Sequence, residues 1–279
     1  MISFQRKSRN RSAALVAGPV FALFCFLAGT SPGSTATKQS ATHKTSKPKS
    51  ASKKPAPDAP VPFRAGETLQ YQVAWATFTS AASVQLSVPE RRDLFGWGTW
   101  HFRASAHTLS TVRSLFPIDD QFDSYTDTAT LESRQYEMYL NEMGKKQDHT
   151  FHFLPQGEVP HGDTPRVIVL PGTRDPLGAL YSLRGVDWQR TPEFRAPVFD
   201  GRAVYEIRAR LDGPDETISV AAGKFSASRV SIHIFQHEKE VPGMTFSAWF
   251  AHDAPRTPVL IQADLPFGSL RVELTSASQ

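Results

Sequence analysis

Along most of the chain, apolar side chains fall at every second position, the period of a strand with one buried face. Leu69, Tyr71, Val73 and Trp75 alternate with polar or small residues, and Ala82, Val84, Leu86 and Val88 repeat the pattern after Thr79-Ser80. That break is short enough for an antiparallel hairpin. Glu90 to Gly98 reads as a charged turn, followed by a strand carrying Trp100, Phe102, Ala104 and Ala106. Residues 113–127 read as strand and turn, anchored by Phe122 and Tyr125, and Tyr136, Met138 and Leu140 mark a strand that turns at Asn141 to Gly144 into Lys146 to Phe153. Further alternation is carried by Ala203 to Leu211, by Val230, Ile232 and Ile234, and by Met244, Phe246, Ala248 and Phe250; Val259 to Leu265 and Leu270 to Leu274 flank a turn at Pro266-Phe267-Gly268. About ten strands with short breaks predict a mainly β fold: a single curved antiparallel sheet forming a barrel or half-barrel, with a sandwich as the alternative.

The period changes clearly in one place. After the β-branched run from Val167 to Leu170, Asp175 can cap a helix and Pro176 suits its first position, where a missing N–H has no partner to lose. Leu177, Leu180, Tyr181 and Arg184 follow at helical spacing, and Gly185 is placed to end the helix in a left-handed conformation. One short helix over 175–184 is therefore expected to pack on the curved sheet as a plug.

The first 62 residues do not share these patterns. Arg6, Lys7, Arg9 and Arg11 precede an apolar run from Ala13 to Gly29 and small residues at Ser34 to Ala36, the layout of a cleaved secretory leader over 1–36. The expected location is the periplasm, the alternative being an anchor retained in the inner membrane. Residues 37–62 form a Lys/Ser/Thr/Pro-rich linker with no apolar period from which to build a core. Residues 63–279 remain as a single β domain.

Charge and cysteine then narrow the class. From Phe63 onward 21 Lys and Arg stand against 26 Asp and Glu, so the domain is acidic although the whole chain is basic. This argues against nucleic acid as a partner, whereas the Lys-rich linker suits peripheral contact with a membrane or cell-wall polymer. The single cysteine, Cys25, lies in the leader, which excludes disulfides and thiolate chemistry from the domain.

Five segments carry a family resemblance: PFRAGETLQYQVAW at Pro62 to Trp75, FPIDDQFDSYTD at Phe116 to Asp127, DPLGALYSLR at Asp175 to Arg184, VFDGRAVYEIRARL at Val198 to Leu211, and VAAGKFSASRV at Val220 to Val230. In order and spacing they resemble a bacterial family catalogued as domain of unknown function 3108, made of exported proteins of Gram-negative envelopes. The resemblance implies a secreted, largely antiparallel β domain. It brings no activity, cofactor or catalytic residue.

The chemistry-bearing residues offer little by motif. Asp119, Asp120, Asp123 and Asp127 are the densest acidic group, with Asp119, Asp120 and Asp123 the weak metal candidates, but they lack the order of a calcium loop and read as turn caps and a solvated face. His149 and His152 point to opposite faces of a strand, and His233 and His237 sit too far apart for one ion. There is no GxSxG elbow, and Pro171 to Arg174 is no phosphate loop. No catalytic residue and no cofactor is assigned. Trp75, Trp100, Phe102, Tyr125, Tyr181, Phe246 and Phe250 fall on faces expected to point inward and are the candidates for lining a ligand pocket, the alternative being that they fill the core. The leading expectation is a non-enzymatic envelope protein that binds or shields an apolar or amphipathic ligand such as a lipid. An assembly module for envelope protein partners and a hydrolase of cell-wall or lipid substrates are the alternatives.

Overall fold

The computed structural model describes residues 58–155, 166–265 and 268–278. The expected leader, nearly all of the linker, and Pro266-Phe267 of the expected last turn lie outside the described residues.

The strands run in chain order β1 (Thr68–Trp75), β2 (Phe78–Leu94), β3 (Trp97–Thr108), β4 (Asp119–Asp127), β5 (Ser133–Glu142), β6 (Lys145–Pro155) and β7 (Arg166–Val169). They continue as β8 (Glu193–Phe199), β9 (Val204–Leu211), β10 (Glu216–Val220), β11 (Gly223–Gln236), β12 (Lys239–Ala251), β13 (Pro258–Leu265) and β14 (Gly268–Ser278). Helix α1 (Ser110–Leu115), which the alternation did not announce, connects β3 to β4, and α2 (Pro176–Gly185) connects β7 to β8.

All fourteen strands belong to one sheet in the order β7-β6-β5-β4-β3-β2-β1-β14-β13-β12-β11-β9-β8, with β10 paired to β11 off this path. Among the described residues the pairs are antiparallel except β6 with β7, which run parallel. The sheet is mostly a meander whose first and last strands meet through β1 and β14. It curls but does not close: among the described residues no ladder joins β7 to β8. Instead Arg174, just before α2, donates its N–H to Pro197 O at 2.9 Å and accepts from Phe199 N–H at 2.8 Å. The rings of Phe151 and Phe153 also reach Phe199 across this seam.

Two local expectations are corrected. Glu90 to Gly98 is not a turn, because β2 continues through Leu94 and the reversal is confined to Phe95-Gly96. Asp93 Oδ1 fixes it by accepting from Gly96 N–H at 2.9 Å. The hairpin projects past the barrel wall, so both faces meet solvent and the alternation that marks a half-buried strand disappears. Gly185 does not end α2 in a left-handed conformation; it remains helical, and Val186 is extended with φ −69° and ψ 133°. Arg256 Nη1 donates to Gly185 O and Val186 O at 2.9 Å each, so a distant guanidinium satisfies carbonyls left open at the helix end.

The start of α2 is as the sequence implies. Asp175 is fully buried and accepts from Gly178 N–H at 2.9 Å and from the hydroxyls of Ser124 and Ser133 at 2.5 Å each. Gly178 is required there by packing, since a Cβ would lie 2.9 Å from Thr126 Cγ2. At the other end Arg184 Nη1 and Nη2 grip Glu67 at 2.6 and 2.9 Å, and Nη2 also donates to Pro255 O at 2.9 Å. The helix is thus strapped to β4 and β5 at its start, and at its end to residues beside β1 and before β13.

Candidate functional site

Helix α2 divides the space inside the sheet into two unlike halves. Toward β3 the Tyr181 ring lies flat on Phe102, with centroids 3.8 Å apart, and Phe63 sets its edge against both rings at 5.1 Å. The buried Arg184 guanidinium lies over Tyr181 and Phe63. This side is filled.

On the opposite side Pro176, Ala179, Leu180 and Leu183 face β1, β2, β9 and β11 to β14 across a cavity of about 70 Å³. Its walls are aliphatic apart from Phe246 and Tyr71, and the Tyr71 hydroxyl is turned away to donate to Pro258 O at 2.8 Å. Burial pushes the Tyr71 pKa well up, so that hydroxyl stays neutral. Such a lining disfavours an ordered water, since no wall group offers the two or more hydrogen bonds that hold one. It is about half the size of a cavity of roughly 150 Å³ that admits benzene.

Of the seven aromatic candidates, Phe246 alone lines this cavity. Phe102 and Tyr181 form the filled side of α2, and Trp100 meets Phe63 edge-on at 5.4 Å. Trp75 stacks on Phe78 at the opposite end of β1, with centroids 6.1 Å apart. Phe250 stacks on Trp188 at 6.4 Å. Tyr125 is a correction: it sits on the outer face, stacked on His101 at 4.5 Å with the Arg92 guanidinium over it. It is three residues from the inward Phe122, and an odd separation in a strand reverses the face.

The Phe250–Trp188 stack also borders a second, polar pocket of about 210 Å³ at the C-terminal end of α2. Ser228 Oγ there donates to Asp215 Oδ1 at 2.8 Å and lies 2.9 Å from His252 Nε2, while His252 Nδ1 lies 3.3 Å from Ser226 Oγ. These residues come from three segments and meet only in the fold. They are not set for nucleophilic attack. The one proton of Ser228 is given to Asp215, so His252 Nε2 must donate toward Ser228, and the carboxylate sits 3.3 Å from that same nitrogen rather than behind the ring. The cluster can donate and accept hydrogen bonds to a polar group, and Asp215, Ser226 and His252 are open to solvent while Ser228 is buried.

The acidic residues do not converge. Asp119 faces outward beside Arg113 and His107, and the Arg113 bond lowers its pKa to about 2. Asp123 is buried beneath outward side chains; burial works to raise its pKa, but bonds from His101, Arg103 and Gln121 bring it below the ordinary value. Asp120 points inward and accepts from Asn141 N–H at 2.9 Å, and burial raises its pKa to about 7. Among the described residues, no group of three or more His, Cys, Asp or Glu is placed to hold a metal ion. No helix among them is long and apolar enough to cross a membrane.

A family model described as "Protein of unknown function (DUF3108)" matches residues 70–275. Among solved structures, the chain is similar to a beta-barrel-like protein of domain of unknown function DUF1849 from Brucella abortus, with 12% identity, 76% of this chain and 96% of that chain covered, and a TM-score of 0.47. It is also similar to a candidate lipoprotein of Parabacteroides distasonis, with 10% identity, 80% and 100% covered, and a TM-score of 0.38. A candidate exported protein with a YmcC-like fold from Bacteroides fragilis follows at 8% identity, 80% and 100% covered, and a TM-score of 0.31. No curated protein matches the chain.

Proposed function

We propose, from the premise that this chain belongs to the DUF3108 family, that it holds the apolar part of an amphipathic ligand, such as a lipid acyl chain, in the lumen beside α2. The observation that carries the reading is the unfilled aliphatic cavity on one side of an otherwise tightly strapped helix. A core selected only for stability gains by filling such a space, because each buried CH2 contributes about 0.8 kcal/mol. The Ser228–His252 pocket, which the Phe250–Trp188 stack borders, suits the polar end of the same ligand. The basic, apolar and small-residue order of residues 1–36 supports action in the cell envelope.

The resting cavity is too small for a full acyl chain, so loading requires Leu180 and Leu183 to swing away from the lumen. Native mass spectrometry of protein purified without detergent, followed by organic extraction, tests the reading. A stoichiometric adduct that extracts as lipid and is lost in Ala248→Val, which shrinks the cavity, is the expected result. A bare mass that stays bare after incubation with envelope lipids contradicts it.

A further inference from the structure

The polar pocket at the C-terminal end of α2 is unevenly charged. Asp187 and Asp253 line it, and Asp215 joins them through Ser228, which donates to Asp215 Oδ1 at 2.8 Å. Arg256 is the one lysine or arginine among the lining residues, and its Nη1 is already engaged by Gly185 O and Val186 O, where it offsets the negative end of the helix. Asp187 and Asp253 form no ion pair among the described residues. Asp253 accepts from Thr257 N–H at 2.8 Å and from Thr257 Oγ1 at 2.6 Å, bonds that hold the carboxylate in place without neutralising it. Asp215 has His252 Nε2 at 3.3 Å, a cation only when protonated. Carboxylates in excess of cations around a concave space draw positive charge and repel negative.

The pocket also has an aromatic border. Trp188 and Phe250, both buried, line it and stack on each other, and aromatic rings beside carboxylates are the surroundings in which an ammonium is held by ring and charge together. The Trp188 indole N–H is buried and has no hydrogen-bond partner among the described residues. A buried donor of this kind is completed by an oxygen acceptor, which a ligand can bring.

We infer that this pocket selects a headgroup carrying an ammonium with an oxygen acceptor near it, and disfavours one whose only charge is negative. The inference rests on the reading that the lumen takes the apolar part of an amphipathic ligand, and it names the chemistry of the other end. It is tested by native mass spectrometry of the full chain near neutral pH, with lysophosphatidylethanolamine and lysophosphatidylglycerol of one acyl length competing in equal amounts. The two probes share chain, glycerol and phosphate and differ in a terminal ammonium or diol. Adducts are expected to favour the ammonium lipid by about fivefold. That ratio is expected to fall to about one when Asp187→Asn and Asp215→Asn, both at exposed positions, are combined. Asp148→Asn combined with Asp264→Asn removes the same charge from exposed sites elsewhere and is expected to keep the preference. Equal or reversed adducts overturn the inference and leave the lumen's ligand in place. So does a preference that survives the loss of Asp187 and Asp215, or one lost just as much in the distant pair. Absence of both adducts overturns the inference together with the reading on which it rests.

Discussion

The two sides of α2 are built from the same ten residues and reach opposite outcomes. Tyr181 and Arg184 face a wall that supplies a flat ring and a carboxylate, and both are packed against it. Ala179, Leu180 and Leu183 face a wall of alternating aliphatics and leave a gap. Close packing is the rule for protein interiors, so the difference locates where this fold gives up cohesion. The packed side fixes the helix, and the loose side is where the proposed ligand would lodge.

The largest expected effect comes from breaking the packed side. Arg184→Met leaves Glu67 buried without its partner and should cost about 3–5 kcal/mol in urea unfolding, most of it regained when Glu67→Leu is added. Next, Tyr181→Ala should cost about 3–5 kcal/mol, whereas Leu180→Ala, half-exposed and already beside a void, should cost under about 2 kcal/mol. Equal losses from the two would erase the contrast.

A smaller effect is read through pH. Asp120, inward on the strand that also carries Ser124 and Thr126 under α2, has its folded pKa raised from 3.8 to about 7. Between those values the folded state holds a proton that the unfolded state has released, so stability should fall as pH rises from about 4 to about 7 and then level off. Asp120→Asn should flatten that slope in pH-dependent thermal unfolding. The smallest effect lies on the loose side: Ala248→Val fills part of the cavity and should raise stability by about 0.5–1 kcal/mol while reducing ligand uptake.

Much of this architecture was legible in the chain because a strand with one wet face must alternate, and because Asp175-Pro176 can hardly start anything but a helix. The end of α2 was not legible, since its cap is Arg256, 71 residues away from Gly185. The cavity was hidden for a different reason. Ile232, Ile261 and Val272 alternate identically whether a neighbour touches them or not, so inward aromatics drew attention to the side that is full. Ser226, Ser228, Asp215 and His252 carry no mutual spacing that a motif could capture. Parity would have placed Tyr125 outside, because it cannot share a face with Phe122.

The most direct test is photo-crosslinking with a diazirine-bearing fatty acid, followed by peptide mapping of the labelled protein. Label on the α2 segment around Leu180 and on β11 and β12 around Ile232 and Phe246 is the result predicted for a ligand lodged on the loose side of the helix. Label confined to the outer face or to the rim at Phe95 and Trp97, with the lumen peptides clean, would contradict it.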